Sequence, residues 1–320
     1  MIYDDEGDRV SGVGFGLVFS ASLVVITQEF DSFRPVALGV SMSGVGLGTF
    51  AQPVLATRLI DAYGWRGALM ITSAITLHTC ACALMIRCAQ HARRQLKEQT
   101  TSDVIRSQKQ YDIELEVVDD FQPPRKSIWS LQYIILHLNM LLYCFGQSVI
   151  YTHIVSYAHH KGHSIQMCSY FISMIGVSNV IGRILLGFVA RVGSVNLRVL
   201  YACCYVIAGA CCYGYCVWNS YVVMAMLMTL LGFMLAAFGP LLSEIVCVTV
   251  GVHQFAVAYG YLLISMAFGT LLGAPSAGWL FDATSVYEYS FILGGSALVL
   301  SGVIMFIPML TERVRNLCKR

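Results

Sequence analysis

Long runs of apolar residues, separated by short polar segments, dominate the chain. A run of about 20 apolar residues crosses the hydrocarbon core of a bilayer as a helix. Nine such runs are present, and they cover Val10 to Ile26, Val36 to Ala56, Gly67 to Ile86, Ile128 to Tyr157, Ile165 to Ala190, Leu197 to Trp218, Tyr221 to Thr249, Phe255 to Phe281 and Tyr289 to Leu310. The four tryptophans lie near the ends of runs, where Trp anchors membrane helices. The pattern predicts an all-α membrane protein with about nine transmembrane helices.

Composition excludes several other classes of protein. Apolar residues make up 57% of the 320-residue chain and charged residues only 12%, against about 25% charged residues in soluble domains. A net charge of +2 gives no basis for binding nucleic acid. Most of the 12 cysteines lie inside apolar runs, so neither a disulfide framework nor a metal site is expected. Because catalytic and cofactor motifs are also lacking, we predict neither an enzyme nor a cofactor.

The distribution of basic residues predicts the orientation of the chain in the membrane. Cytoplasmic connections carry an excess of Lys and Arg. If the N-terminus lies outside, fifteen Lys and Arg side chains fall on the inner side and four on the outer side, while Arg183 lies within a run. We therefore expect a multi-pass protein of the plasma membrane with its N-terminus outside and its C-terminus in the cytoplasm.

The segment from Cys88 to Lys126 separates the chain into two parts. It mixes both charge signs, ends in Pro123-Pro124 and has no sustained apolar periodicity, which is typical of a mobile linker. The sequence thus predicts a partial N-terminal bundle of three helices (1–87), a cytoplasmic linker (88–127), a C-terminal six-helix bundle (128–310) and a cytoplasmic tail (311–320).

The second and eighth runs resemble each other at a constant offset of 221 residues. Seven identities align at this offset: Ala37/Ala258, Gly39/Gly260, Gly48/Gly269, Thr49/Thr270, Leu59/Leu280, Asp61/Asp282 and Ala62/Ala283. The same offset maps the first three runs onto the last three, which indicates an internal duplication. Transporters are often built from three-helix repeats, so we expect that one repeat is missing before Val10. The alternative is a chance resemblance between glycine-rich helices.

Five segments resemble the monocarboxylate transporters of the major facilitator superfamily. They are Glu29 to Gly44 (EFDSFRPVALGVSMSG), Gly64 to Gly67 (GWRG), Tyr151 to His153 (YTH), Ser178 to Gly187 (SNVIGRILLG) and Gly273 to Asp282 (GAPSAGWLFD). They are similar to the family's fifth, sixth, seventh, eighth and eleventh helices. The resemblance implies the major facilitator fold and the transport of monocarboxylates or related small organic anions by alternating access. The partners that the resemblance implies are the lipid bilayer and, as candidates, protons and a single-span ancillary membrane protein.

The chain also departs from that family in three places. Ser32 and Phe33 stand where the family usually has basic residues, which leaves Arg34 alone on its inner loop. Some relatives carry an aspartate where this chain has Asn179, so the resemblance does not extend to proton coupling through that carboxylate. The signature of the family's first helix has no counterpart.

Arg183 is the first candidate for binding a substrate. An arginine within a span costs on the order of 3 kcal/mol on insertion scales and marks a pathway or an anion site, and its guanidinium can hold a carboxylate through two parallel hydrogen bonds. Asn179 lies one helical turn earlier, on the same face. An imidazole in general can gain or lose a proton in the physiological range, so His153 with Tyr151 could bind a carboxylate or a proton. The alternatives are that Arg183 extends to the lipid headgroups and that His153 is a packed interface residue.

Four further residues are candidates for conformational gating. Gly239 and Pro240 interrupt the seventh run, where proline removes a backbone hydrogen bond and a hinge is expected. Glu244 follows one turn later, near the inner surface. It is either solvated, a capping residue or the partner of a cytoplasmic arginine in a gating ion pair, and Arg34 is our candidate for gating on the inner loop.

A second hypothesis places the chain in a different functional class. Without one three-helix repeat, a carrier would lose a wall of its cavity and expose packing faces. The alternative to a transporter is therefore a truncated membrane protein that binds or regulates a partner without transport activity, or an incomplete gene model.

Overall fold

The computed structural model of the chain describes residues 5–30, 33–108, 129–192 and 195–308. These residues form nine α-helices: α1 (Asp5–Glu29), α2 (Arg34–Gln108), α3 (Leu131–His160), α4 (Ile165–Arg191), α5 (Leu197–Val217), α6 (Tyr221–Leu235), α7 (Pro240–Val250), α8 (Phe255–Thr284) and α9 (Tyr287–Ile304). Short 3-10 turns, Ala236–Phe238 and Val252–Gln254, precede α7 and α8. The predicted all-α fold is confirmed.

Seven helical segments in the described part of the chain are long and apolar enough to cross a membrane. They are Arg58–Ala92, Leu131–His160, Tyr170–Arg191, Leu197–Val217, Tyr221–Val250, Val252–Thr284 and Tyr287–Ile304. These segments coincide with the third to ninth predicted runs. The first predicted run lies in α1, whose described apolar part is the shorter stretch Gly14–Glu29, and the second lies in the first half of α2.

The described residues form two compact units, and the division differs from the predicted one. One unit lies within Gln52–Arg125, and the other comprises Met1–Ala51 and Lys126–Arg320. The start of α2 therefore belongs with the C-terminal helices, although the sequence pattern grouped residues 1–87 together. Glycines explain the close packing, because a Cβ on Gly46 would lie 2.8 Å from the carbonyl oxygen of Gly176 on α4.

The beginning of the predicted linker is helical. Helix α2 continues to Gln108, so residues 88–108 of the segment predicted as a linker are helical. This stretch contains neither glycine nor proline but has four Gln and three Arg, which favour helix without any apolar stripe. The remainder of the predicted linker, from residue 109 to residue 127, lies outside the described residues, as does the predicted tail from residue 311 to residue 320.

The offset of 221 residues recurs in the backbone. Helices α2 and α8 begin at Arg34 and Phe255, which are 221 residues apart. Each helix is interrupted or ended by a residue with positive φ, and these two residues, Gly64 (φ 68°) and Ser285 (φ 56°), are again 221 residues apart. Equivalent backbone breaks at equivalent positions support the internal duplication inferred from the sequence.

Side-chain caps begin three of the C-terminal helices. Ser130 and Ser164 accept hydrogen bonds from Tyr133 N and Met167 N at the starts of α3 and α4, and Asn196 does so at the start of α5. Such caps satisfy backbone donors that a helix leaves free at its first turn. They fix where each helix starts and therefore which of its side chains face the interior of the bundle.

Candidate functional site

Arg183 is held inside the protein by a chain of hydrogen bonds. Only 4% of its surface is exposed. Its Nε donates to Oδ1 of Asn179 at 2.7 Å, and Nδ2 of Asn179 donates to the carbonyl oxygen of Gly232 on α6 at 3.0 Å. The guanidinium is thus buried and connected through Asn179 to two helices, α4 and α6.

One terminal nitrogen of this guanidinium has no partner. The NH1 atom of Arg183 is buried and makes no hydrogen bond, whereas buried polar groups are almost always hydrogen-bonded. Because Asn179 occupies the Nε side, a carboxylate can approach only the edge formed by the two terminal nitrogens. That edge still offers the paired donors that an Arg–carboxylate contact uses.

Gly239 packs closely against the unpartnered nitrogen of Arg183. A Cβ at this position would lie 3.1 Å from NH1 of Arg183 and would collide with the sulfur of Met42 on α2. Gly239 lies between the 3-10 turn at Ala236–Phe238 and the first residue of α7, Pro240. The helix interruption expected from Gly239-Pro240 is present, and it lies directly beside Arg183.

Four tyrosines from three other helices lie within electrostatic range of the guanidinium. Tyr143 and Tyr151 on α3, Tyr205 on α5 and Tyr259 on α8 are close enough to interact with it electrostatically. The ring of Tyr143 stacks on Phe238, with centroids 5.2 Å apart, and lies 4.8 Å from the ring of Tyr205. Sequence reasoning singled out only Tyr151 from this group. The sequence also contains a signal for the other three tyrosines. Tyrosine is typical of membrane interfaces, whereas these tyrosines fall inside apolar runs.

His153 is placed differently from the other candidates. Its Nε2 lies 3.3 Å from the carbonyl oxygen of Ala274 on α8, and its ring centroid lies 6.3 Å from that of Tyr287. A carbonyl accepts hydrogen bonds, so Nε2 carries the proton in this contact. The structure therefore ties His153 to α8 through the backbone of Ala274.

The candidate gating residues Arg34 and Glu244 form an ion pair. Their charged atoms are 3.8 Å apart, with side chains 9% and 19% exposed. Nε of Arg34 also donates to the carbonyl oxygens of Thr27 and Phe30, both at 3.1 Å. Arg34 thus connects the end of α1 with the start of α2 and with α7.

A second contact on the same connection involves Phe33. The guanidinium of Arg191, at the end of α4, lies 3.8 Å from the centroid of the Phe33 ring. This is a cation–π contact. The α1–α2 connection therefore makes two contacts of this kind. Phe33 contacts α4, and its neighbour Arg34 forms the ion pair with α7.

The described residues offer no metal site: no three of their His, Cys, Asp or Glu side chains gather in an arrangement that could hold an ion. The arrangement around Arg183 instead combines one buried cation with neutral hydroxyl groups. Such a combination has the chemistry to bind an anion.

Two family models match the chain. The model of the Major Facilitator Superfamily matches residues 10–199, and a second, described as "Uncharacterised MFS-type transporter YbfB", matches residues 116–306. Among curated proteins, monocarboxylate transporter 12 of Xenopus laevis is 25% identical over 96% of this chain and 68% of its own length. The human monocarboxylate transporter 12 is 27% identical over 96% of this chain and 62% of its own length. The chain therefore spans about two thirds of the length of these relatives.

The fold is also similar to that of a solved transporter. The crystal structure of the Major Facilitator Superfamily transporter FucP in the outward conformation superposes with a TM-score of 0.60, covers 89% of this chain and 70% of FucP, and is 14% identical. The sequence matches and the fold agree with the family predicted from the five motifs, and they agree on a family of transporters rather than enzymes. The chain is a multi-pass membrane protein and belongs to the Major Facilitator Superfamily.

Proposed function

We propose that the chain transports monocarboxylates or related small organic anions across the membrane by alternating access, and that Arg183 holds the carboxylate. The observation that carries this proposal is the buried NH1 nitrogen of Arg183, which has no hydrogen-bond partner. An intramembrane cation is costly and is retained where it serves a pathway or a ligand. The names of the relatives, both monocarboxylate transporters, support a carboxylate as that ligand.

In the proposed binding mode, the carboxylate contacts the terminal edge of the guanidinium, beside Gly239. Asn179 positions Arg183 by accepting from Nε and does not itself need to contact the substrate. Tyr151, which interacts electrostatically with Arg183, lies near the same site. His153 remains a candidate substrate-binding residue only for an anion that reaches the outer end of α3.

The proposed gate lies on the connection between α1 and α2. The ion pair between Arg34 and Glu244 joins this connection to α7, which begins next to Gly239. Opening the site toward that side requires the pair to separate. In our proposal Gly239 and Pro240 supply the hinge through which α7 moves relative to α6.

We also propose that the chain lies in the plasma membrane. Its orientation is the one predicted from the basic residues, with the N-terminus outside and the C-terminus in the cytoplasm. The gate formed by Arg34 and Glu244 then faces the cytoplasm. Labelling of tags at the two termini in intact and permeabilised cells tests this orientation.

Uptake of a radiolabelled monocarboxylate tests the proposed function. Arg183→Gln should abolish uptake while surface expression stays unchanged, because glutamine keeps hydrogen-bonding capacity but removes the charge. Arg58→Gln, which removes an exposed arginine on α2 that belongs to neither the proposed site nor the proposed gate, is the control and should retain uptake. Uptake by Arg183→Gln at the unmodified rate would refute the role of Arg183, and no uptake by the unmodified chain would favour a function other than transport.

A further inference from the structure

The third apolar run continues into a basic segment on the same helix. The apolar part of α2 that is long enough to cross a membrane is Arg58–Ala92, and α2 then continues to Gln108. Beyond Gly64, this described helix contains no further residue with non-helical φ and ψ. The residues that follow Ala92 therefore continue the span without a break.

The segment from Arg87 to Lys97, which we call the basic segment, carries a concentrated positive charge. Its Lys and Arg residues are Arg87, Arg93, Arg94 and Lys97. No acidic residue occurs between Asp61 and Glu98. At 3.6 residues per turn, the four basic positions fall within about a third of the circumference of the helix. The basic segment thus has one strongly cationic face directly beside the span.

A cationic face beside a span is suited to anionic lipid headgroups. Anionic lipids give the cytoplasmic leaflet a negative surface, and clusters of four or more Lys and Arg next to a membrane helix bind such lipids. In the proposed orientation the basic segment lies on the cytoplasmic side. Its charge therefore complements the membrane surface that it meets.

The course of the helix restricts how many lipids the basic segment can contact. From Arg87 to Lys97 the helix rises about 15 Å, whereas one headgroup layer is about 5 to 8 Å thick. Because the segment continues the span, it passes through this layer instead of lying along it. Such a helix meets only a few lipids, so a headgroup with several phosphates neutralises its charge better than singly charged headgroups do.

We infer that the basic segment binds a phospholipid of the cytoplasmic leaflet whose headgroup carries several phosphates, as in a phosphoinositide. Phosphate oxygens accept charge-assisted hydrogen bonds from guanidinium and ammonium groups. The inference does not depend on transport, because the basic segment lies in the unit Gln52–Arg125 and Arg183 lies in the other unit. The orientation proposed above decides only which leaflet supplies the lipid.

Lipid binding to the purified full chain in detergent, measured by microscale thermophoresis, tests the inference. The probes are the dioctanoyl forms of phosphatidylinositol bisphosphate, phosphatidylserine and phosphatidylcholine. We expect the bisphosphate lipid to bind about tenfold or more tightly than phosphatidylserine, and phosphatidylcholine to bind more weakly still. Arg93→Gln combined with Arg94→Gln should weaken binding of the bisphosphate lipid by about tenfold, because each basic residue near the membrane surface adds to the attraction.

Two matched variants separate the effect of charge from other effects. Arg93→Lys combined with Arg94→Lys keeps both charges and should bind the bisphosphate lipid within a few-fold of the unmodified chain. Arg58→Gln combined with Arg66→Gln removes two exposed arginines that flank Asp61 at the other end of the same span, and it should leave the Kd unchanged. Melting curves establish that each variant is folded. If the double glutamine variant is unfolded, each of its single substitutions should weaken binding about threefold.

Several outcomes would overturn the inference. They are equal affinity for the bisphosphate lipid and phosphatidylserine, and unchanged affinity after the two arginines of the basic segment are replaced by glutamine. Free inositol trisphosphate distinguishes a lipid from a soluble phosphate ligand. It should bind more weakly than the lipid, because it lacks the acyl chains that hold the headgroup beside the span, and equal affinity would assign the segment to a soluble ligand. None of these outcomes bears on Arg183, whose role is tested by uptake.

Discussion

Nε of Arg183 donates a hydrogen bond of 2.7 Å to Oδ1 of Asn179, one turn earlier on α4. The amide nitrogen of Asn179 in turn donates to the carbonyl oxygen of Gly232 at 3.0 Å. Asn179 therefore accepts on one side and donates on the other, and it can do so without binding or releasing a proton. The pair thus fixes the orientation of a buried cation with a neutral residue.

Asn179→Asp should make uptake depend on a proton gradient. An ionised aspartate could pair with Arg183 but could not donate to the carbonyl oxygen of Gly232, whereas a protonated aspartate could donate to it. The variant therefore couples a proton to the position of Arg183. We expect uptake by Asn179→Asp to rise several-fold when the outside is acidified, and uptake by the unmodified chain to change less. An equal response of the two proteins to a pH gradient would contradict this role of Asn179.

Gly239→Ala should weaken substrate binding. The added methyl group would lie 3.1 Å from NH1 of Arg183 and would collide with the sulfur of Met42, so it would displace the guanidinium or Met42 and disturb the proposed carboxylate contact. We expect a loss of about tenfold in affinity, measured as Kd or as half-saturation of uptake. Gly278→Ala is the control, because nothing lies within 4 Å of a Cβ at that position on α8. Unchanged affinity in Gly239→Ala would place the carboxylate elsewhere.

Exchanging the charges of Arg34 and Glu244 tests the gate. Arg34→Glu and Glu244→Arg should each reduce uptake, because each single variant places two like charges where the ion pair was 3.8 Å long. The double variant should recover part of the uptake, although the glutamate cannot replace the donations of Arg34 to Thr27 and Phe30. The effects on uptake are converted to free energies and compared. If the effect of the double variant is smaller than the sum of the two single effects by more than about 0.5 kcal/mol, the two residues are directly coupled. Strict additivity of the three variants would show that the pair does not act as a unit.

Two tyrosine substitutions compare a hydroxyl that donates a hydrogen bond with a buried hydroxyl that has no partner. Tyr133→Phe removes a hydrogen bond of 2.7 Å to the carbonyl oxygen of Ala258 and should lower the free energy of unfolding by about 1 kcal/mol. Tyr215→Phe removes a buried hydroxyl that has no partner and should leave the free energy of unfolding unchanged or raise it. Chemical unfolding of both variants under the same conditions measures the difference. A larger loss for Tyr215→Phe would mean that its hydroxyl has a partner after all.

Much of the fold follows from the sequence because membrane helices are limited by length and hydropathy. The apolar runs locate the spans, and the i, i+4 spacing of Asn179 and Arg183 predicts that their side chains meet. The helix from Cys88 to Gln108 escaped prediction because it has no apolar stripe. Helix propensity, rather than periodicity, carried the signal there.

The site was less predictable than the fold, for a physical reason. An arginine in an apolar run is visible because of its charge, whereas Tyr143, Tyr205 and Tyr259 are amphipathic and pass as ordinary membrane residues. Which of their hydroxyls have partners depends on contacts between helices that are distant in sequence. The placement of His153 against Ala274, 121 residues away, depends on tertiary packing in the same way.

The central claim is that Arg183 recognises the negative charge of a carboxylate, and a matched pair of ligands tests it most directly. Propionate and propionamide have nearly the same shape but differ in charge, and their binding to the purified chain can be compared by calorimetric titration. The unmodified chain should bind propionate and discriminate against propionamide by about tenfold or more, and Arg183→Gln should remove that discrimination. An undiminished preference for propionate in Arg183→Gln would contradict the account.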